Sequence, residues 1–488
     1  MKQLRKYSHY PQGVASHKDL LDYILNKAKG LKIVLYNTVD NCVGCVDTNV
    51  DTAPDTTIPD TTIPFYFENV GTGDAVISIQ KNNINANTAS LEISIDNTNW
   101  ETWGETSTTA LSKTIGAGER LYIRNAEDVG YINSFSVYNY FRSTDYNQFS
   151  STGANIIIGG NIMSLGYKNF ENEYTIEQTS AYSYLFYNMS KLVDASRLVL
   201  PATTLAEGCY NGMFKGCTSL TTAPELPATT LANQCYGGMF YNCVSLTTAP
   251  ELPATTLEIC CYADMFLGCT SLTTAPELPA TILQCADSCY SGMFYDCTSL
   301  TTAPELPATT LALCCYSYMF YGCTSLTTAP SILPATTLAD ECYQYMFSGC
   351  TSLTTAPSIL PATILKEGCY QYMFEGCTSL TTATSILPAT TLANSCYYGM
   401  FSGCTSLTTA PELPANILAD SCYYGMFSGC SNLNYIKAMF TFYPSGSSYT
   451  QNWVDGVAST GTFVKNAQAT WYNSGIVPTG WTVKTAIV

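Results

Sequence analysis

From Cys209 to Cys430 the apolar positions recur in one repeated sentence, Cys-Tyr-x-x-Met-Phe-x-Gly-Cys-Thr-Ser-Leu-Thr-Thr-Ala-Pro-Glu-Leu-Pro-Ala-Thr-Thr-Leu-Ala. Close variants open at Cys209, Cys235, Cys261, Cys289, Cys315, Cys342, Cys369, Cys396 and Cys422, a period of 26 to 28 residues. Such a period predicts a solenoid, whose units bury their apolar faces only by stacking on one another. Within a unit, Cys209, Met213 and Cys217 stand at i, i+4 and i+8 with Phe214 beside them. That spacing predicts a short inward-facing helix or 3₁₀ turn, ended by Gly216. Leu220, Ala223 and Leu226 then predict a short extended segment pairing with neighbouring units, kept short by Pro224 and Pro227. Residues 181–192 fit the pattern with Ala181 and Met189 replacing the two cysteines, as a degenerate first unit should. The expectation is about ten units over residues 176–440, closed by a cap over 441–488 carrying Trp453, Phe463, Trp471 and Trp481.

Upstream the period becomes two. Ala75–Ile79, Leu91–Ile95, Leu111–Ile115, Leu121–Arg124 and Phe135–Phe141 alternate between Gly, Asn and Asp turns, which predicts an antiparallel β-sandwich over 65–175. Residues 51–64 repeat Asp-Thr-Thr-Ile-Pro and read as an extended linker. In residues 1–50, Ser16 and Asp19 open a capping box, Leu20, Leu21, Ile24, Leu25 and Ala28 share a helical face, and Leu31–Tyr36 is a short strand. A helix and strand of that size cannot bury a core alone. The segment is therefore expected to be an anchor, buried against partner chains.

Composition narrows the function. Charged residues make up only 12% of the 488, against 46% hydrophobic, and polarity comes from Thr, Ser, Asn and 36 Tyr. A formal charge of −17 argues against nucleic-acid binding. No run reaches the ~18 apolar residues of a spanning helix, and residues 1–30 lack the apolar core of a secretory signal. These features together suggest a protein that works outside cells without classical export, as a virus particle released by lysis would. Eighteen of the 23 cysteines occupy two fixed repeat positions eight residues apart. On a helical turn their sulfurs would be about 12 Å apart, too far for a disulfide. They read as small buried hydrophobes. Cys42 and Cys45 form a lone C-x-x-C, and with His9 and His17 the only histidines no closed zinc site is complete; a disulfide hairpin or two free thiols remain.

The Met-Phe-x-Gly-Cys-Thr-Ser-Leu motif with its Leu- and Pro-containing half-repeat resembles the BspA-like leucine-rich repeat family over residues 181–436. That resemblance implies a binding role in surface proteins of gut and oral bacteria, or in phages that infect them, and supplies no catalytic residues. Short stretches also resemble proteins of crAss-like Bacteroides phages: Leu4–Ser8, Asp19–Ile24, Thr62–Tyr66, Gly159–Leu165, Asn452–Val457 and Gly461–Asn466. This second resemblance implies a virion fibre, attached through residues 1–50 to other virion proteins, trimeric as phage fibres generally are, and displaying the repeats to a bacterial surface glycan or protein. The alternative is a bacterial surface or secreted leucine-rich-repeat adhesin.

Core positions repeat faithfully, while two residues after Cys-Tyr and one after Met-Phe vary. Tyr318, Tyr345 and Tyr372 align at the first site and Tyr241, Tyr295 and Tyr321 at the second. Tyrosine suits a recognition surface, although an aligned row also serves as a stacking ladder that stiffens the rod. Trp100 and Trp103 form either a sugar platform or part of the sandwich core. Glu225, Glu251, Glu277 and Glu305 form a row that could share Ca²⁺ between turns or simply be a solvated acidic edge. The doubled threonines from 221/222 to 408/409 suggest ice-binding faces, a reading set aside because neighbours on a strand point to opposite sides. No catalytic triad, phosphate loop, histidine cluster or isolated carboxylate pair is visible, so neither enzymatic activity nor a cofactor is expected.

Overall fold

Period-two alternation builds the first layers, as the β-branched and aromatic strands require. The computed structural model describes residues 60–81, 91–103, 111–128, 147–442, 448–471 and 475–486. The expected anchor in 1–50, the Cys42/Cys45 pair, the linker up to residue 59 and the strand at 135–141 lie outside the described residues. The described residues all belong to one compact unit, Ile58–Val488.

Eight strands come first: β1 Tyr66–Asn69, β2 Ala75–Lys81, β3 Leu91–Ser94, β4 Glu101–Thr102, β5 Leu111–Ile115, β6 Arg120–Asn125, β7 Asn147–Gly153 and β8 Ile156–Asn161. A ninth, β9 Leu192–Val199, follows the first repeat unit. One sheet runs β4-β3-β6-β1-β8-β9 and the other β5-β2-β7. Every pairing is antiparallel except β8 with β9. Phe67 and Ile123 of the first sheet share a core with Ile77 and Phe149 of the second, and the Phe67 and Phe149 rings meet edge-on at 5.1 Å. Strand β8 is buried along its whole length, so its Ile-Ile-Ile-Gly-Gly-Asn sequence carries no alternation to read. Its parallel pairing with β9 joins these sheets to the repeats, and Phe186 of the first unit stacks on Phe149 at 6.0 Å.

The repeats hold the main departure from the sequence reading. No α-helix occurs among the described residues, and the stretch from Cys209 to Cys217 is neither helix nor 3₁₀ turn. Backbone donors alternate instead. The N–H groups of Gly208, Tyr210, Gly212, Phe214 and Gly216 each donate to a carbonyl of the next unit, at Asn233, Cys235, Gly237, Met239 and Tyr241. Those of Cys209, Asn211, Met213, Lys215 and Cys217 each donate three residues back within their own unit. Every amide is thereby satisfied, half by the turn and half by the stack, as burial demands. The geometry needs a left-handed residue at every fourth position: Gly208, Gly212 and Gly216 have φ of +61°, +57° and +77°. The true period is therefore four, with two residues in and two out. Cys209, Tyr210, Met213, Phe214 and Cys217 are fully buried, while Asn211 and Lys215 face outward.

Stacking then produces columns. Ten tyrosines from Tyr182 to Tyr423 form a buried column with ring centroids 5.5–5.9 Å apart. A parallel column of phenylalanines runs from Phe186 to Phe427. Leu220 and Leu226 are buried as expected. The prolines reduce the extended segment to isolated parallel bridges such as Asp194–Thr222 and Thr222–Thr248.

The register also runs one unit further than the sequence motif. Tyr423, Gly425, Phe427 and Gly429 donate to the carbonyls of Tyr449, Gln451, Trp453 and Asp455. Trp453 stands where methionine stood and covers both Tyr423 and Phe427. Three parallel strands, β10 Tyr435–Ala438, β11 Thr462–Lys465 and β12 Thr482–Thr485, finish the stack. The indole N–H groups of Trp453, Trp471 and Trp481 donate to the carbonyls of Ile476, Phe440 and Ala458, so each buried indole is satisfied.

Candidate functional site

The two-in, two-out rhythm decides what each turn shows to solvent. The third and sixth residues after the leading cysteine, where Gly212 and Lys215 stand in the first full unit, face outward. The third residue is left-handed in every unit. Glycine fits there without strain, whereas a bulky residue costs about 1–2 kcal/mol. Tyr318, Tyr345 and Tyr372 nevertheless occupy it, with φ of +57°, +54° and +54°. Non-glycine residues hold left-handed positions elsewhere in the stack too, among them Gln234, Asp264, Cys314 and Glu341.

Those three rings stack, Tyr318 on Tyr345 at 4.8 Å and Tyr345 on Tyr372 at 4.7 Å. At the sixth position Tyr295 stacks on Tyr321 at 4.6 Å, and Tyr318 joins the two rows, 5.9 Å from Tyr321 and 6.4 Å from Tyr295. The strip continues through two residues the sequence reading missed: Tyr372 meets Tyr398 at 5.1 Å, and Tyr398 stacks on Tyr424 at 4.6 Å. Both sit one place before the left-handed residue, in the Tyr-Tyr-Gly triplets at 397–399 and 423–425. Those triplets were the available signal. All seven tyrosines are half-buried. Burial pushes the Tyr345 hydroxyl up to about 12, with Tyr318 and Glu375 adding to the effect. Burial likewise raises Tyr318, Tyr295 and Tyr372. Near neutral pH these four are therefore uncharged, with hydroxyls that both donate and accept.

Tyr241 stands apart, since Leu267 occupies the sixth position between it and Tyr295. Its ring lies under the Lys215 ammonium at 4.1 Å, a cation–π contact. The tryptophan pair divides. Trp103 is 6% exposed and stacks on Phe149, so its assignment as a surface contact is corrected: it fills the core between the sheets. Trp100 is half-buried beneath the Arg124 guanidinium, 4.0 Å from the ring centre.

Glu225, Glu251, Glu277 and Glu305 are all exposed, and Glu305 accepts from the Ser331 amide and hydroxyl. Among the described residues no group of three or more metal-capable side chains converges. The geometric ground for dismissing the threonine rows does not hold. Thr221 and Thr222, and each later pair to Thr408 and Thr409, are exposed together, because the segment forms isolated bridges and not a pleated strand.

All described cysteines are free thiols. Those at the second repeat position are more than small hydrophobes. Cys217, Cys243, Cys269 and their equivalents up to Cys430 each donate to a phenylalanine carbonyl of the preceding unit, at 3.0–3.2 Å. Burial pushes Cys217 and Cys269 up to about 12, so they stay protonated donors. No described helix is long and apolar enough to cross a membrane.

A family model described as "BspA type Leucine rich repeat region (6 copies)" matches residues 145–273, 179–327, 229–370, 264–406 and 363–450. No curated protein matches the chain. The chain is similar to a solved leucine-rich repeat protein from Bacteroides ovatus, at 15% identity over 64% of this chain and 87% of that one, with a TM-score of 0.26. A leucine rich cell surface protein from Faecalibacterium prausnitzii gives 17% identity, 62% and 90% coverage and a TM-score of 0.28. A leucine-rich repeat protein from Eubacterium ventriosum gives 13%, 67% and 92%, with a TM-score of 0.30. With the model's matches running from residue 145 to residue 450 and the stacked turns coinciding with them, the chain belongs to the BspA-type leucine-rich repeat family.

Proposed function

We propose that the protein is a non-enzymatic recognition protein that presents its outward tyrosine strip to a glycan or protein on a bacterial surface. The observation that carries this reading is the stacking of Tyr318, Tyr345 and Tyr372 at left-handed positions that glycine fills at 212, 238, 292, 399 and 425. Structural stacking alone does not call for tyrosine there, since the buried Tyr and Phe columns already hold the turns in register. Rigid, amphipathic tyrosine offers contact area at low entropy cost. The setting we favour is a virion fibre in which the two sheets form a sandwich, residues 1–50 bind other virion proteins and the fibre is a homotrimer. It rests on the resemblance of short stretches to crAss-like phage proteins. Membership of the BspA-type family supports equally a bacterial surface protein.

The test uses the full chain and the triple variant Tyr318→Gly, Tyr345→Gly, Tyr372→Gly in binding to host cells. Hot-spot aromatics contribute about 2 kcal/mol each, so affinity should fall at least tenfold with the fold intact. Unchanged binding would show the strip to be scaffold. Labelled antibody on purified particles, read by electron microscopy, decides between the two settings: decoration of virions supports the fibre, and decoration of bacterial envelopes supports the surface protein.

A further inference from the structure

No tyrosine stands at the third position between Tyr184 and Tyr318. At the third position of successive turns stand Tyr184, Gly212, Gly238, Asp264 and Gly292, and only then Tyr318. The Tyr184 ring lies over Gly212, where an added Cβ would come within 2.5 Å of it. Asp264 leans the same way, its Oδ1 2.2 Å from the place of a Gly292 Cβ. Over Gly238 the nearest atom to an added Cβ is the Tyr241 Cβ, at 3.9 Å. The ladder therefore lacks a rung, and the gap opens a notch of about 350 Å³, at the lower end of the ~300–1,000 Å³ typical of small-ligand sites.

The walls are built for a polar ring. Tyr184 and Tyr241 supply aromatic surface. Lys215 and Asp264 both line the notch half-buried, and the ion pairs of the described residues do not join them. Each is partly desolvated, which lowers the lysine and raises the aspartic acid, while each partly offsets the other's shift by its charge. Gln234 also lines the notch, and its Oε1, buried behind the surface, accepts no hydrogen bond. A buried acceptor without a donor is costly unless something supplies one. A ligand with several hydroxyls answers all of these at once: donors for Asp264 and Gln234, an acceptor for Lys215, and a C–H face for the tyrosines.

We infer that this notch is a carbohydrate subsite that takes one pyranose ring as the missing rung of the tyrosine ladder. The inference deepens the recognition reading above by naming the ligand class. The sugar's C–H face lies against the Tyr184 side of the gap and its vicinal hydroxyls bond Asp264, Lys215 and Gln234.

The full chain is titrated with the methyl glycosides of glucose, galactose, mannose and N-acetylglucosamine, and with N-acetyltyrosine amide as a peptide probe, by saturation-transfer NMR. At least one glycoside should saturate, with Kd of the order of 1 mM for a single ring. Gly238→Tyr supplies the rung from within; its φ of +56° matches the tyrosines at the same position, so the fold persists while glycoside affinity falls at least tenfold. Asp264→Gly, which removes a strained side chain, should cost at least fivefold. The Tyr318/Tyr345/Tyr372 triple variant leaves the notch intact and should keep glycoside affinity within twofold, even where it abolishes cell binding. Failure of every glycoside, preferential saturation by the tyrosine amide, undiminished affinity in Gly238→Tyr or Asp264→Gly, or loss of affinity in the triple variant would each overturn the assignment.

Discussion

The Cys217 thiol lies 3.0 Å from the Phe186 carbonyl oxygen, one turn back along the stack, and donates to it. The same oxygen accepts the amide of Met189 in its own turn. The repeat thus uses a thiol where a hydroxyl would be too polar and a methyl would leave the lone pair unused. Nine such rungs lie one above another between Cys217 and Cys430.

The two cysteine rows should therefore respond differently to truncation. Cys350 donates to the Phe320 carbonyl at 3.1 Å, whereas the equally buried Cys342 thiol donates to no carbonyl of the preceding turn. Cys350→Ala and Cys342→Ala lose the same volume, so Cys350→Ala should cost about 0.5–1 kcal/mol more. Urea midpoints of the two variants check this. Equal losses would mean that the thiol bond contributes nothing.

Stability should fall at alkaline pH. The folded thiols of Cys217 and Cys269 are pushed up to about 12 from an ordinary 9.0. A folded value raised above the unfolded one gives stability that is complete below pH 9 and lost as pH rises towards 12. At pH 10 each such thiol costs about 1.4 kcal/mol, and the buried tyrosine column, raised by burial as at Tyr316 and Tyr343, adds a term of the same sign. Urea midpoints should be flat from pH 7 to 8.5 and drop steeply by 10.5. A flat profile over the whole range is the contrary result.

The left-handed tyrosines predict an inverted substitution pattern. Tyr345→Gly relieves backbone strain of about 1–2 kcal/mol while losing three ring contacts, the stacks on Tyr318 and Tyr372 and the edge contact with Tyr321, of about 0.5–1.5 kcal/mol each. The net cost should be about 1–2 kcal/mol smaller than for a variant that keeps the strain. Tyr345→Val loses the same contacts and keeps the strain, made worse by β-branching, and should cost about 2–3 kcal/mol. Thermal or urea denaturation of both proteins settles the order, and a Val variant as stable as the Gly variant would contradict it.

Neighbouring turns should also couple through their third left-handed residue. Gly322 has φ +70° and an added Cβ would sit 2.1 Å from the Asp296 Oδ1, whereas at Gly349 the nearest atoms are 3.5 Å away. Gly349→Ala meets only the conformational penalty of about 1 kcal/mol. Gly322→Ala adds a clash and should cost more by about 1–3 kcal/mol. Asp296→Gly should remove that excess in the double variant, a non-additivity expected of touching residues. Strict additivity in this cycle would show that the two turns do not sense each other.

Much of this protein was legible in its sequence. The 26-to-28-residue period fixes the stacking of near-identical turns, because a single unit cannot bury Met213, Phe214 and Leu220 alone. Strands β2, β3, β5 and β6 were legible from alternation at 75–79, 91–95, 111–115 and 121–124, where one face is buried and the other wet. The tyrosine rows were legible too, as variable positions between constant ones.

What tertiary structure decided lies where burial on two sides or contact between turns removes the local signal. Strand β8 is covered on both faces and shows no alternation. The spacing of Cys209, Met213 and Cys217 suits a helix of 3.6 residues per turn almost as well as the observed period of four. Sequence within one unit cannot choose between them, because half the hydrogen bonds that decide the matter go to the next unit. The inward Tyr210 and outward Tyr318 are the same residue type only two places apart in the motif, and only the alternation of turn and stack sends one into the core and the other to the surface. The notch is likewise a property of five successive turns: a glycine at 238 is silent by itself and becomes a gap only because Tyr184 and Asp264 both lean along the stack in the same direction.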